Sequence, residues 1–290
     1  MTRTYSPDGG QPPSDVYRRW QGCTDCKLGH VREERATLLG PEARDPPRII
    51  QGEGAVGGLI LISSCPSWKD EKHGKFFAPG KWDRVSKVYE RTGGSLVREM
   101  LAKLGYLSNV YFTGTTACRS CEQTFNEDGT PRMFFNEHLQ KELPIYKDRH
   151  PLHQEFTACR TRLHEEIYAV DPLLILLMGP DVSFAVLHRR IVEYGSVVTL
   201  DIPGRMSVAR RGKNGGWLRK FKGEVLAPVD ATTITYPAMV LADPEEVLRT
   251  SADKRPDGLF RRFYRDLQTA IQVMERYRQE VGLTTEERYE

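Results

Sequence analysis

The chain has 290 residues, 39% hydrophobic and 28% charged, with 42 Lys and Arg against 39 Asp and Glu and a formal charge of +3. That is enough for one large domain or two small ones of ordinary globular composition. No apolar run approaches the ~18–20 residues that span a bilayer, and so small a net charge does not by itself demand a polyanionic partner.

The first residues, MTRTYSPDGGQPPSD, are rich in Gly and Pro and lack the apolar stretch of a secretion signal. Residues 1–18 are expected to be a flexible lead-in, and a cytoplasmic location is expected. A tight pair, Cys23-x2-Cys26, follows. Gly58–Ser63 (GLILIS) is an apolar run that predicts a buried strand, and it enters a turn made of Ser63, Ser64, Cys65 and Ser67. Leu96, Val97, Met100, Leu101 and Leu104 lie on one face of a helix predicted over Gly94–Leu104. Strands are predicted at Asn109–Gly114, Leu173–Met178 and Ala231–Tyr236, and helices at His153–Val170, Asp181–Leu187 and Gly258–Glu280. Residues 119–152 and 203–228 read as long irregular insertions, which are usually functional. There are no internal repeats. Strands alternating with helices predict a single three-layer α/β/α sandwich over residues 19–280, with a central, mainly parallel four-stranded sheet. Residues 281–290 would form a flexible tail. In such folds the site lies beyond the carboxyl ends of the strands. That places the Ser63–Ser67 turn, Gly114–Cys118 and Tyr236–Met239 on one rim.

The second insertion contains SVARRGKNGGWLRKFKGE. Basic residues mixed with Gly, Trp217 and Phe221 suit a loop that tracks phosphates and stacks on a base. Six cysteines occur: Cys23, Cys26, Cys65, Cys118, Cys121 and Cys159. In a cytosolic chain, clustered cysteines point to metal or redox chemistry rather than disulfides. Cys23, Cys26, Cys118 and Cys159 could hold zinc or a [4Fe–4S] cluster, and spacing alone does not choose between them.

The ordered series CTDCKLGHVR, QGEG, a strand with a Pro turn, HGKFFAPG, NVYFTGTTACRS, a later cysteine on a helix, Asp171–Gly179 and ITYPAMVLADPEEV resembles the iron–sulfur branch (family 4) of the uracil-DNA glycosylase superfamily. The resemblance spans about residues 20–275. It implies a [4Fe–4S] cluster of structural role on Cys23, Cys26, Cys118 and Cys159, with Cys121 as an alternative ligand. It also implies an enzyme that flips a base out of DNA and cleaves its glycosidic bond. The expected DNA is a duplex with a flipped base, or a single strand. A monomer and no membrane association are expected.

Against the pattern, only the stacking aromatic, Phe77, is kept. Ser64 stands at the place of the motif-one Glu, Gly114 at the place of the base-reading Asn, and Tyr236 at the place of the motif-two His. Phe76 stands where the family often has Pro. These losses argue against ordinary uracil excision. Ser for Glu and Gly for Asn both shorten side chains, which would widen the pocket for a bulky pyrimidine, hydroxymethylated or glucosylated, such as occurs in viral DNA. An antiviral DNA glycosylase is therefore expected. The alternatives are an inactive DNA- or partner-binding scaffold and a repair enzyme for uracil or another deaminated base. A working enzyme needs a carboxylate, and Asp70, Glu71 and Asp83 are the candidates. Tyr236 would donate to the leaving base, and His73 and Cys65 would line the pocket. Met239 is a candidate wedge into the stack. Arg119, Arg210, Arg211 and Lys213 are candidate phosphate ligands.

Overall fold

The computed structural model describes all but residues 1–12, 42, 44–45, 84–87, 189–190, 192, 204–209, 212–216, 222–224, 229–232, 251–254, 256–257 and 281–290. It also gives no side-chain account of residues 13, 81–83, 88–90, 203, 210–211, 217–221, 225–228, 233–234 and 280. Eight helices are described: α1 (Pro13–Trp20), α2 (Lys27–Leu39), α3 (Trp68–His73), α4 (Gly93–Lys103), α5 (His153–Val170), α6 (Pro180–Leu187), α7 (Pro244–Arg249) and α8 (Leu259–Glu280). The main sheet is built from β1 (Glu53–Gly54), β2 (Leu59–Ser63), β3 (Val110–Gly114), β4 (Leu174–Met178), β5 (Val197–Pro203) and β6 (Thr233–Leu241), in the order β1-β3-β2-β4-β6-β5. β3, β2, β4 and β6 run parallel, and the two edge strands run antiparallel. The expected parallel sheet of four is present, widened by an antiparallel strand at each edge.

Alternation along each strand makes the layers. Leu59, Leu61, Val110, Phe112, Leu174, Leu176, Met239 and Leu241 face one core with residues of α4, α7 and α8. Ile60, Ile62, Tyr111, Ile175, Leu177, Tyr236, Ala238 and Val240 face the other, with residues of α5 and α6. Strands covered on both sides read as unbroken apolar runs, which is why LILIS and LILLM are legible in the sequence.

Three expectations change. Residues 13–18, expected in the flexible lead-in, lie in α1, whose Val16 and Tyr17 are buried. The first insertion is not irregular: strands Cys121–Gln123 and Tyr146–Asp148 pair, and Met133–Asn136 pairs with Lys141–Pro144. In the second, strands at Arg210–Arg211, Trp217–Phe221 and Val225–Pro228 form a small antiparallel sheet.

Candidate functional site

Two places combine chemistry-bearing residues: a cavity ringed by cysteines and the carboxyl rim of the sheet. The first is lined by Cys23, Cys26, Cys118 and Cys159, with Trp20, Ile49, Ala117, Ala158 and Arg162. Cys26 is the residue before α2, and Gly29 sits so close to Cys23 that a Cβ there would come 2.5 Å from the Cys23 carbonyl oxygen. Cys118 lies beyond β3, where Ala117 accepts a hydrogen bond from the Ile50 N–H. Cys159 is in the second turn of α5. Arg32 Nη1 donates to Cys118 Sγ (3.7 Å) and its Nη2 to the Cys23 carbonyl (3.1 Å). Burial pushes the Cys118 thiol up to about 11. The mutual proximity of the Cys26 and Cys159 thiols lowers Cys26 and raises Cys159. Cys121 does not line the cavity; its sulfur accepts from Arg35 Nη1 at 3.6 Å.

A single metal ion needs donors that converge on one point. Among the described residues, no three His, Cys, Asp or Glu side chains are placed to hold one metal ion. A cluster instead takes one thiolate per iron. Its ligands surround a volume and need not meet at a point, and four cysteines around one largely apolar cavity fit that demand.

At the rim, the register brings Ser63 level with Gly114, and Met178 level with Leu241. The residues emerging there are Ser64 and Thr115 on one side and Gly179 and Asp243 on the other. Ser64 and Asp243 end strands two places apart, about 10 Å across the sheet. The Ser64 carbonyl accepts from the Thr116 N–H (3.2 Å) and from the Thr115 hydroxyl, so the serine turn is tied to the end of β3. Ser64 Oγ donates to Cys65 Sγ (3.8 Å), and burial pushes that thiol up to about 12. Cys65 is no reactive thiolate at neutral pH.

Phe77 has a left-handed backbone, φ 52°, which is costly for a bulky residue. Four contacts impose it. Asp70 Oδ1 accepts from the Ala78 N–H (2.7 Å), and Arg98 donates to the carbonyls of Phe77 (2.7 Å) and Phe76 (3.1 Å). Thr92 Oγ1 donates to the Ala78 carbonyl (3.2 Å). The Phe77 ring lies against Phe112, centroids 5.4 Å apart. Gly94 is required beside it, since a Cβ there would come 2.6 Å from the Phe77 Cα.

Several expected site residues are placed otherwise. Gly114 does not open space: the fully buried Phe76 ring fills it, and a Cβ on Gly114 would run into that ring. The widened pocket is therefore corrected to a closed floor. Asp70 spends both carboxylate oxygens on Ser67 and Ala78 as the cap of α3. Glu71 is buried and gripped by both terminal nitrogens of Arg35 (3.0 and 2.6 Å). Tyr236 is not at the rim. It is buried on the sheet face away from Phe77, at the level of Leu200. Met239 is 0% exposed in the centre of the sheet and cannot enter a base stack. Arg119 is committed to Asp148 and Glu71, and its side chain is only 10% exposed. His73 is exposed at the end of α3. Asp83 lies in the strand Lys81–Asp83 and Arg210 and Arg211 in another, but their side chains, and all of Lys213, lie outside the described residues.

A polar residue at the rim that sequence reasoning did not single out is Asp243. It follows β6, Pro244 opens α7 behind it, and its Oδ1 caps that helix by accepting from Glu245 N–H (2.7 Å) and Glu246 N–H (3.4 Å). Its side chain faces Gly179, whose backbone (φ 99°) suits glycine. The signal was present as Asp-Pro-Glu-Glu, an N-cap, a first-turn Pro and two first-turn acids.

An open, mainly parallel sheet covered on both faces, with polar loops at its carboxyl rim, defines a three-layer α/β protein, a class in which ligands bind beyond the carboxyl ends of the strands. Residues 56–268 match the family model of the Uracil DNA glycosylase superfamily, and the chain belongs to that superfamily. Its members are usually DNA glycosylases, hydrolases that bind DNA. A search of curated proteins gave no match to the chain. No helix among the described residues is long and apolar enough to cross a membrane.

Proposed function

We propose that this chain is a DNA glycosylase that excises a modified, bulky pyrimidine, hydroxymethylated or glucosylated, and leaves an abasic site, in defence against viruses whose DNA carries such bases. The observation that carries this reading is the Phe76 ring at Gly114. It removes both the base-reading amide and the deep slot that uracil would need. What remains exposed at the strand ends is the half-buried Ser64 and, two strands away, the half-buried Asp243. A base resting there has its outer edge open, so a large substituent meets no wall. Asp243 would serve as the carboxylate. Water adds its oxygen to C1′ of the sugar and gives a proton to Asp243. The glycosidic C–N bond breaks, and the base leaves with the bonding pair and takes a proton from solvent.

The reading is tested by base release from plain, uracil-containing, hydroxymethylcytosine-containing and glucosylated DNA, with alkali used to break abasic sites. Release from the bulky-base DNA alone is expected. Asp243→Asn should lower that release by about 10²–10⁴-fold while the protein folds normally, because Asn caps a helix as well as Asp. An undiminished rate in that variant would remove Asp243 from the reaction. One observation favours an inactive DNA-binding scaffold instead: Asp70 and Glu71 are consumed by structural bonds. Tight DNA binding with no release from any substrate would establish that reading, and release from uracil DNA would establish repair.

We also assign Cys23, Cys26, Cys118 and Cys159 as the residues that would hold a [4Fe–4S] cluster. Such a group would supply a cross-link between the α2 start, the β3 end and α5, with Arg32 offsetting negative charge at Cys118. About four irons per chain and a brown colour are expected; one colourless zinc would answer for the alternative.

A further inference from the structure

The geometry points to Trp68, with Lys69 and Lys72, as a stacking platform for a DNA base next to the one excised. Trp68 directly follows Ser67 at the end of the serine turn, and it is 46% exposed, unusual for so large an apolar ring. Its main chain is fixed from behind: the Trp68 backbone N–H donates to Asp148 Oδ2 (3.3 Å), and the Ser67–Asp70 capping box holds the first turn of α3. Two ammonium groups hang over the ring, Lys69 Nζ at 5.9 Å and Lys72 Nζ at 5.7 Å from its centroid. An aromatic face bracketed by cations is what an unpaired base and its phosphates require, because every base has a π-face and a charged link. The apolar ring speaks against a small anion as the ligand, and the two ammonium groups against an apolar protein surface. The inference rests on the glycosylase reading and adds to it the way the strand beside the excised base is held.

The test measures binding of an unmodified single-stranded oligonucleotide, separately from base release. Trp68→Ala should weaken binding about 5- to 150-fold, and Trp68→Phe should keep most of the affinity. Oligonucleotide binding should quench the emission of the wild type, and that quench should be smaller in Trp68→Phe, by the share that Trp68 contributes. Lys69→Gln with Lys72→Gln should make the log–log salt dependence shallower by about 1.4. If Trp68→Ala binds as the wild type does while the wild type still releases bases, the platform is wrong and the glycosylase reading stands. If the wild type binds no DNA, both fall together.

Discussion

Asp70 accepts hydrogen bonds from the Ser67 N–H, the Ser67 hydroxyl and the Ala78 N–H, so three donors converge on one carboxylate. Burial raises its carboxyl above the ordinary value, and those donors pull in the opposite direction. Asp70→Asn turns an amide N–H₂ toward one of the donors, and a loss of about 1–3 kcal/mol is expected in urea denaturation. The sign of the pH effect follows from the raised carboxyl. Its contribution favours the fold at pH below the unfolded value and fades as pH rises through the folded one, so Asp70 does not contribute to acid unfolding. Gly114 and Phe76 make a second residue-scale case. Gly114→Ala forces the Phe76 ring to move and should cost about 1–3 kcal/mol, whereas a Gly114 that lined an open pocket would accept the methyl group without loss. The sequence showed Gly114 where a side chain was expected but not what filled the gap, because filling is a tertiary fact carried by Phe76, 38 positions away.

Between elements, the informative joint is Arg35 of α2 with Glu71 of α3. Both side chains are largely buried, and the pair is bidentate. Burial disfavours the guanidinium, yet the Glu71 carboxylate raises Arg35 above its ordinary value. Glu71→Gln should cost about 3–5 kcal/mol, and an Arg35→Met, Glu71→Leu double variant should recover most of it. Equal losses in single and double variants would show that the pair matters through shape alone. The end of β6 differs from its sequence pattern for another reason. The apolar run predicts a strand that stops at Tyr236, before Pro237. Up to Pro237 the strand pairs only with antiparallel β5, and pairing with β4 begins at Ala238. A Pro is tolerated in that edge-like stretch. Residues 237–241 then carry the chain on to the rim, which leaves Tyr236, the expected donor to the leaving base, inside the sheet and brings Asp243 to its end. Helices α4, α5, α6 and α8 are legible to within a residue or so at each end, because their apolar residues repeat at helical spacing and face the sheet.

At the scale of the molecule, the two cores on opposite sheet faces meet different ends of the chain. The cysteine cavity joins residues near the start to α5, in the middle. If it holds the cluster, Cys159→Ser should lower the iron content and the melting temperature together; a melt unchanged after iron is lost would make the cluster dispensable to the fold. Parallel order and layer count are legible from apolar runs, whereas the docking of α1 is not, since eight residues without a clear apolar repeat conceal two buried side chains, Val16 and Tyr17. Tyr17 donates to Glu166 and accepts from Arg162 Nη1 (3.1 Å), and its oxygen also receives the Gly52 N–H (2.6 Å). Glu166 is 0% exposed and further accepts from Tyr111 (2.9 Å) and Thr113 (2.7 Å). The unit of folding is thus larger than the unit of family resemblance. Residues 56–268 expressed alone would leave Glu166 without Tyr17, Glu71 without Arg35 and Phe263 on a shortened α8. The segment before residue 56 supplies an interior surface of the domain, and trimming the chain to its recognisable family core would remove part of its inside.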